Sequence, residues 1–580
     1  MINPGIAIQI LLDGQHPALW ESFSKRETMR FLRKRGKDIA RNDLSRLIKA
    51  ILAGPPRKIY QEMNAKKWTG LRDHTIRERL FMLTESGLKL PKLAQKKLDR
   101  IQREHPWSPG EGRSGEFPIF IRISQTNKDE IGKMENFSSM DVDAFIEWSA
   151  TQEDKLWDCS GGWFLFCENE ADGALKLLQK SGERDVWPIA PWYDALSRFR
   201  KNDKKISKRH KMDTAKALVE MPVEHLCKLD LQAARWLEHA RKGLRKKLRR
   251  QLWENIWKAS LLAEWEGNFN YDMTLNHAGG ILASVLMDEL AEYYPTATAG
   301  ANPGFFKSLL PYFKLIGDGD KPSAVLARIR LSANLLYLFR IDREWTEYAL
   351  LRRMDSENSD IFEAGLWEGY LWSPRIHDDL LEPLKPLFFR ILENLDLISE
   401  RVREHAPQLF IDISVPPDRG VTTKEAQEVL QDMPTKHLAE AARRLMHMLS
   451  GAGDKAPVLW RKTIEPWFKE AWPKHKKAKS SETSSNLAWM AIETGDAFPD
   501  AVNTIKDQLL PSRWGNRLHN LKEAELHKRS PEAAWIFIKH TIGDETQIAG
   551  LDLPELLDVI VQKCPNITND ADFQRLRARG

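Results

Sequence analysis

Arg241, Arg245 and Arg249 stand at i, i+4 and i+8, a spacing that on one continuous helix aligns their guanidinium groups along a single face. Such a row suits the phosphates of a nucleic-acid backbone, because each group is permanently charged and offers a planar fork of donors. Lys242, Lys246, Lys247 and Arg250 thicken the same cationic ridge, and the run from Arg198 to Lys211 adds a basic loop before it. A second patch, Arg33, Lys34, Arg35, Lys37 and Arg41, falls on an earlier helix. Neither patch carries a motif that reads bases, so the expected binding of DNA or RNA is electrostatic and weakens with salt. The alternative is a solvated face that pairs with acidic regions of the same protein.

Other chemistries lack their residues. Gly317-Asp318-Gly319-Asp320-Lys321-Pro322-Ser323 has glycines ahead of a lysine, but the spacing is short, two aspartates repel phosphate, and Pro322 lacks a donor. It reads as a surface turn, and Gly451 to Lys455 as a helix-ending loop. The 15 histidines form no His-Glu-x-x-His pattern, and Cys159 and Cys167 flank a segment without metal-ligand spacing. Neither metal nor cofactor is expected, and acidic pairs such as Asp378-Asp379 are too common to indicate acid–base catalysis. An enzyme whose ligands are distant in sequence, such as a nuclease, stays open.

The elements that must position the cations read as helices. Glu27 to Leu52 carries Phe31, Leu32, Ile39, Leu44, Leu47, Ile48 and Ile51 until Gly54-Pro55-Pro56 stops it. Asp230 is placed to cap a long helix in which Leu237, Ala240, Leu244, Leu248, Leu252 and Ile256 recur every three or four residues. Thr422 and Glu425 form a capping box. Thr435 to Leu449 reads as amphipathic, and Pro554 and Pro565 bracket a helix near the end. Phe117 to Ile123 and Trp163 to Phe166 are the best strand candidates. Lys474 to Ser485 reads as an exposed loop.

The expected fold is therefore all-α, a multi-helix α-solenoid-like array of degenerate helical hairpins, with a small irregular or mixed insertion near 104–195. At roughly 100–200 residues per domain, 580 residues allow three to five domains or one elongated array. We divide the sequence into a basic helical domain at 1–103, an acidic, loop-rich segment with short strands at 104–195, a basic central helical domain at 196–324 and a helical solenoid-like domain at 325–580. Charge follows this division. Lys25 to Arg103 holds 23 Lys and Arg against 8 Asp and Glu, and Arg198 to Arg250 holds 18 against 6. Those segments carry +15 and +12, so an overall charge of +6 leaves −21 for the remainder. No apolar run reaches the roughly 20 residues that span a bilayer. Met1 to Leu12 does not read as a signal peptide and the four cysteines are scattered, so a cytoplasmic protein with reduced thiols and no membrane contact is expected.

The 21 tryptophans, several among apolar helical neighbours, suit packing between stacked helices. Leu366-Trp367-Glu368-Gly369-Tyr370-Leu371-Trp372-Ser373-Pro374, then Trp460-Arg461, Ile464-Glu465-Pro466-Trp467, Trp472-Pro473 and Phe498-Pro499 give roughly 325–580 its character. This region resembles the large helical region appended to sirtuin-type NAD-hydrolysing domains in bacterial anti-phage defence proteins. In size and basic patches the protein is also similar to helical accessory subunits of Zorya- or Druantia-type defence systems. The resemblance implies a non-catalytic accessory, sensor or scaffold subunit of a multi-gene antiviral system. It further implies that an ATPase, helicase, nuclease or NAD-hydrolysing enzyme would be a separate partner. The competing expectation is a general DNA- or RNA-binding helical protein.

Overall fold

The computed structural model describes residues 25–57, 65–104, 137–152, 161–201, 206–296, 301–416, 419–511, 517–543 and 552–578, with a few isolated positions besides. Among them the regular elements are helical and none is a strand, so the fold is all-α. Trp163 to Phe166 is a correction: these residues lie inside the helix Gly161–Asn169, where Trp163 and Phe166 bury their rings against Phe137. A cluster of aromatic rings can be buried by a helix as well as by a strand, and periodicity over four residues does not separate the two. Phe117 to Ile123 lies outside the described residues.

The protein divides into two units, Met1–Gln125 and Thr126–Gly580. The first contains α1 (Lys25–Arg35), α2 (Arg41–Ala53), α3 (Ala65–Glu85) and α4 (Lys92–Glu104). The single helix expected over Glu27 to Leu52 is interrupted at Gly36–Asp38. The break begins at Gly36, a close contact with α3 where a Cβ would stand 2.6 Å from Ser86 Oγ and 2.9 Å from a Leu83 methyl. Leu32, Leu47, Ile51, Leu80, Leu83 and Ile101 share one core. Asp73, buried on α3, receives Lys97 Nζ of α4 at 2.9 Å and ties the two helices together.

The second unit has a single hydrophobic core running from Phe137 to Leu576. Its site-bearing helices are α5 (Lys208–Glu220), α6 (Asp230–Ala240), α7 (Lys246–Ser260), α8 (Ala278–Tyr293), α9 (Pro322–Ser332), α10 (Leu335–Ile341) and α11 (Ala364–Trp372). Ile189–Lys201 packs on α6, α6 on α8, α8 on α9 and α9 on α11. The line continues through His405–Ser414 and Thr435–Ala452 to Ser481–Glu493. A second line runs beside it, with α5 against α7 and Asp378–Glu393 against Thr423–Asp432, which meets Glu465–Ala471. Each step of this array takes about 40 residues, the size of a two-helix solenoid repeat.

Polar cross-links record the same step. Arg340–Asp379, Lys385–Glu425, Arg443–Glu404, Arg461–Asp500, Arg529–Asp496 and Lys539–Asp570 join partners 31 to 40 residues apart. Indole N–H groups add to them: Trp253 donates to the Leu282 carbonyl at 3.0 Å and Trp345 to that of Phe313 at 3.1 Å. The local signals behave as read at several helix ends. Thr422 and Glu425 form a complete capping box, and Pro554 opens the helix Leu553–Lys563. Within Gly317 to Ser323 the turn is shorter than expected, only 319–321, since Gly317 and Asp318 end one helix, Pro322 and Ser323 begin α9, and Gly317 and Ser323 are buried. Lys474 to Ser485 is a shorter loop than expected, since Ser480 caps a helix that starts at Ser481.

Candidate nucleic-acid interface

The helix expected across 230–260 is two helices, and this overturns the aligned ridge. α6 ends at Ala240, Arg241–Gly243 make one turn of 3-10 helix, and Leu244 and Arg245 are extended before α7 begins at Lys246. A continuous helix would stack Arg241, Arg245 and Arg249 as like charges one turn apart around a glycine, both of which oppose helix formation. Breaking the backbone at Gly243 turns the apolar stripe into two packed helices and separates the arginines. Asp230 is the first helical residue rather than a side-chain cap, and burial pushes its carboxyl up to about 6.

Three of the predicted arginines are consumed inside the fold by α8. Arg241 contacts Asp288 Oδ2 through Nε at 3.1 Å and Nη2 at 2.7 Å. Arg249, only 4% exposed, places Nη2 3.1 Å from Oε2 of Glu289, itself 3% exposed, and 3.6 Å from Glu292. Arg250 binds Glu289 Oε1 through Nε at 3.1 Å and Nη2 at 2.8 Å. Burial opposes the Arg250 charge, but the Glu289 bonds override it and raise its pKa above the ordinary arginine value. Lys246 donates to Tyr293 Oη at 3.2 Å while lying over that ring. One signal for these partners was present in the sequence. Asp288, Glu289 and Glu292 end an otherwise apolar helix, where carboxylates oppose the helix dipole unless cations answer them.

Lys242, Arg245 and Lys247 remain outward, and among the described residues none has an ion-pair partner. The turn places them beside the start of α5, because the Lys211 stem crosses Gly243 so closely that a Cβ there would stand 2.7 Å from Lys211 Cδ. Lys208 and Arg209 are exposed in that first turn, which Ser207 caps by accepting from the His210 N–H. The basic run before α5 and the basic turn after α6, some 35 residues apart in sequence, therefore form one composite patch. Its core is Lys208, Arg209, Lys242, Arg245 and Lys247, and Asn202 to Lys205 lie outside the described residues.

The first unit keeps its own predicted patch exposed, apart from partly buried Arg35. Arg35 Nε bonds Asp38 at 2.8 Å and Arg33 lies 3.9 Å from Glu85. Lys34, Lys37 and Arg41 point outward around the Gly36 break. The landmarks of the C-terminal half are mainly packing groups. Trp367 and Trp460 are fully buried, Trp467, Trp472 and Pro473 are buried, and the Trp367 indole donates to the Met354 carbonyl at 2.8 Å. Gly369 lies where a Cβ would meet Ser332 Oγ at 2.1 Å. Pro466 stands in the first turn of its helix, Pro374 is half-buried, and Trp372 is half-exposed between the Tyr271 ring and the Arg401 guanidinium.

Cys167 is buried, Cys227 and Cys564 are half-buried, and burial raises the pKa of the latter two, which disfavours the thiolate. Among the described residues no group of three His, Cys, Asp or Glu side chains is arranged to hold a metal ion. No described helix is long and apolar enough to cross a membrane.

No family model matches the protein, and no solved structure matches it. It is similar to an uncharacterized protein of Sinorhizobium fredii, y4cA, with 22% identity over 611 aligned residues that take in 98% of this chain and 48% of that protein. The chain thus spans about half the length of the curated relative it matches.

Proposed function

We propose that the protein is a helical scaffold that holds a nucleic-acid backbone on the composite patch of Lys208, Arg209, Lys242, Arg245 and Lys247, serving as an accessory or sensor subunit of a multi-gene prokaryotic antiviral system. The observation that carries the binding reading is the sorting of charge around one turn. α8 neutralises Arg241, Arg249 and Arg250, whereas Lys242, Arg245 and Lys247 beside them are left to solvent. Of the five cations, among the described residues, only Arg209 lies near a carboxylate, Asp213 at 3.7 Å, and such a cluster favours a polyanion, because each phosphate contact releases condensed counterions from the nucleic acid. The antiviral assignment rests on the resemblance of 325–580 to the helical region of defence proteins.

Binding is tested by titrating a labelled 30-nucleotide single strand and its duplex at several salt concentrations. Affinity should fall steeply between 50 and 200 mM salt, and salt-independent affinity would remove the reading. Displacement by polyglutamate as effective as by DNA would instead point to an acidic protein partner. Phage plating with and without the gene tests the antiviral role separately, and unchanged protection would remove it.

A further inference from the structure

A cleft of about 290 Å³ opens between two successive repeats, lined by Ser284, Met287, Asp288 and Ala291 of α8, Arg330 of α9, Asn334, and Tyr337 of α10. The α8 residues follow the i, i+3, i+4, i+7 pattern and so form one wall. Arg330 is held in place from two sides: Nε donates to Ser284 Oγ at 2.8 Å and Nη1 donates to Tyr271 Oη at 2.6 Å. Among the described residues no carboxylate lies within ion-pair distance of it. The guanidinium is thus held on two sides while, among the described residues, Nη2 has no hydrogen-bond partner and can donate to a carboxylate. Asp288 brings no uncompensated charge, because Arg241 already occupies it at 2.7 Å. The cleft's unanswered charge is therefore the single positive charge of Arg330.

We propose that this cleft binds a small monocarboxylate bearing an apolar substituent, with the carboxylate on Arg330. One unanswered cation matches one negative charge, whereas a phosphomonoester, at −1.5 to −2 near neutral pH, would bring a second charge that no free cation of the cleft answers. Met287, Ala291 and the Tyr337 ring supply an apolar wall, and Tyr337 is fixed by donating to the Tyr294 carbonyl at 2.7 Å. Asn334, exposed at the mouth, offers an amide to a neighbouring N–H or C=O. Such a ligand is either a free amino acid or the C-terminal residue of a peptide, and the two share this chemistry.

Isothermal titration of the 580-residue protein with leucine, N-acetyl-leucine, N-acetyl-leucinamide and phenyl phosphate tests the proposal. Saturable binding of one of the two carboxylates is expected, with at least tenfold weaker binding of the amide and the phosphate. Preference for leucine assigns a free amino acid, and preference for N-acetyl-leucine assigns a peptide terminus. Arg330→Gln should weaken binding at least tenfold. Ala291→Trp, an exposed change that fills the cleft and leaves Arg330 in place, should abolish it without altering the circular dichroism spectrum. Absence of saturable binding, equal binding of the amide, or binding indifferent to Ala291→Trp would overturn the proposal.

Discussion

Arg249 and Glu289 form a buried ion pair between α7 and α8, with Nη2 3.1 Å from Oε2 and both residues less than 5% exposed. A residue whose spacing placed it on a solvent-facing ridge is thereby an interior cross-link between consecutive steps of the array. Removing one member leaves the other charged and buried, which costs about 3–5 kcal/mol. Arg249→Ala and Glu289→Ala should each lower stability by that order in urea unfolding of the region. Glu289→Ala should be the worse, since Arg250 also loses its partner. A double Arg249→Met, Glu289→Leu variant should recover most of the loss. Single variants that unfold at the wild-type midpoint would show the pair to be dispensable.

The outward cations make the complementary prediction. Lys242→Ala, Arg245→Ala and Lys247→Ala break no described contact, so the triple variant should unfold within about 0.5 kcal/mol of wild type per site. Its nucleic-acid affinity at low salt should nonetheless fall. The slope of log affinity against log salt should flatten by up to about 2.7 if each cation neutralises one phosphate. Arg241→Ala is the contrasting control, because its guanidinium is occupied by Asp288. A steeper loss from Arg241→Ala than from the triple variant would place the binding face elsewhere.

Some of this was legible in the sequence and some was not, for physical reasons that differ residue by residue. The capping box at Thr422 and the proline at 554 act within one turn, and their geometry follows from local spacing alone. The break at Gly243 competes with an apolar stripe that reads equally well as one helix or two. It is decided by α8, whose acids lie about 40 residues farther on. The repeat itself is hidden for the same reason. Its invariant is an ion pair or indole bond at roughly constant separation, made by different residue types at each step. No residue-by-residue period can show it.

Close helix contacts give a stability prediction of unusual sign. Gly369 on α11 lies where a Cβ would be 2.1 Å from Ser332 Oγ and 2.3 Å from the Ile329 carbonyl oxygen of α9. Gly369→Ala must push the two helices apart and should cost about 1–3 kcal/mol, although alanine is the better helix former. Gly451, exposed near the end of the helix Thr435–Ala452, has nothing within 4 Å of the point where a Cβ would stand. Gly451→Ala should therefore stabilise by about 0.5–1 kcal/mol. Thermal unfolding of the two variants side by side checks the opposition, and equal shifts would refute the close packing of α9 on α11.

Acid sensitivity follows from two buried groups with opposite slopes. His277 accepts the Gly279 N–H on Nδ1 at 3.0 Å at the start of α8, and burial lowers its pKa from 6.5 to about 4. The folded state thus resists protonation, so the stability it contributes is present above pH 6.5 and is lost as pH falls through 4. The shift corresponds to roughly 3 kcal/mol. His210, His437 and His527, also lowered by burial, act in the same direction. Asp230 does the reverse. Burial raises its carboxyl from 3.8 to about 6, so its contribution is present below 3.8 and is lost as pH rises through 6. Across pH 4 to 6 the two slopes oppose one another. Relative to wild type, Asp230→Asn should steepen the loss of stability on acidification. His277→Asn, which keeps a side-chain acceptor at the helix start, should flatten it. Urea unfolding at half-unit steps from pH 4 to 7 measures both differences, and shifts of the same sign in the two variants would contradict the assignment of either group.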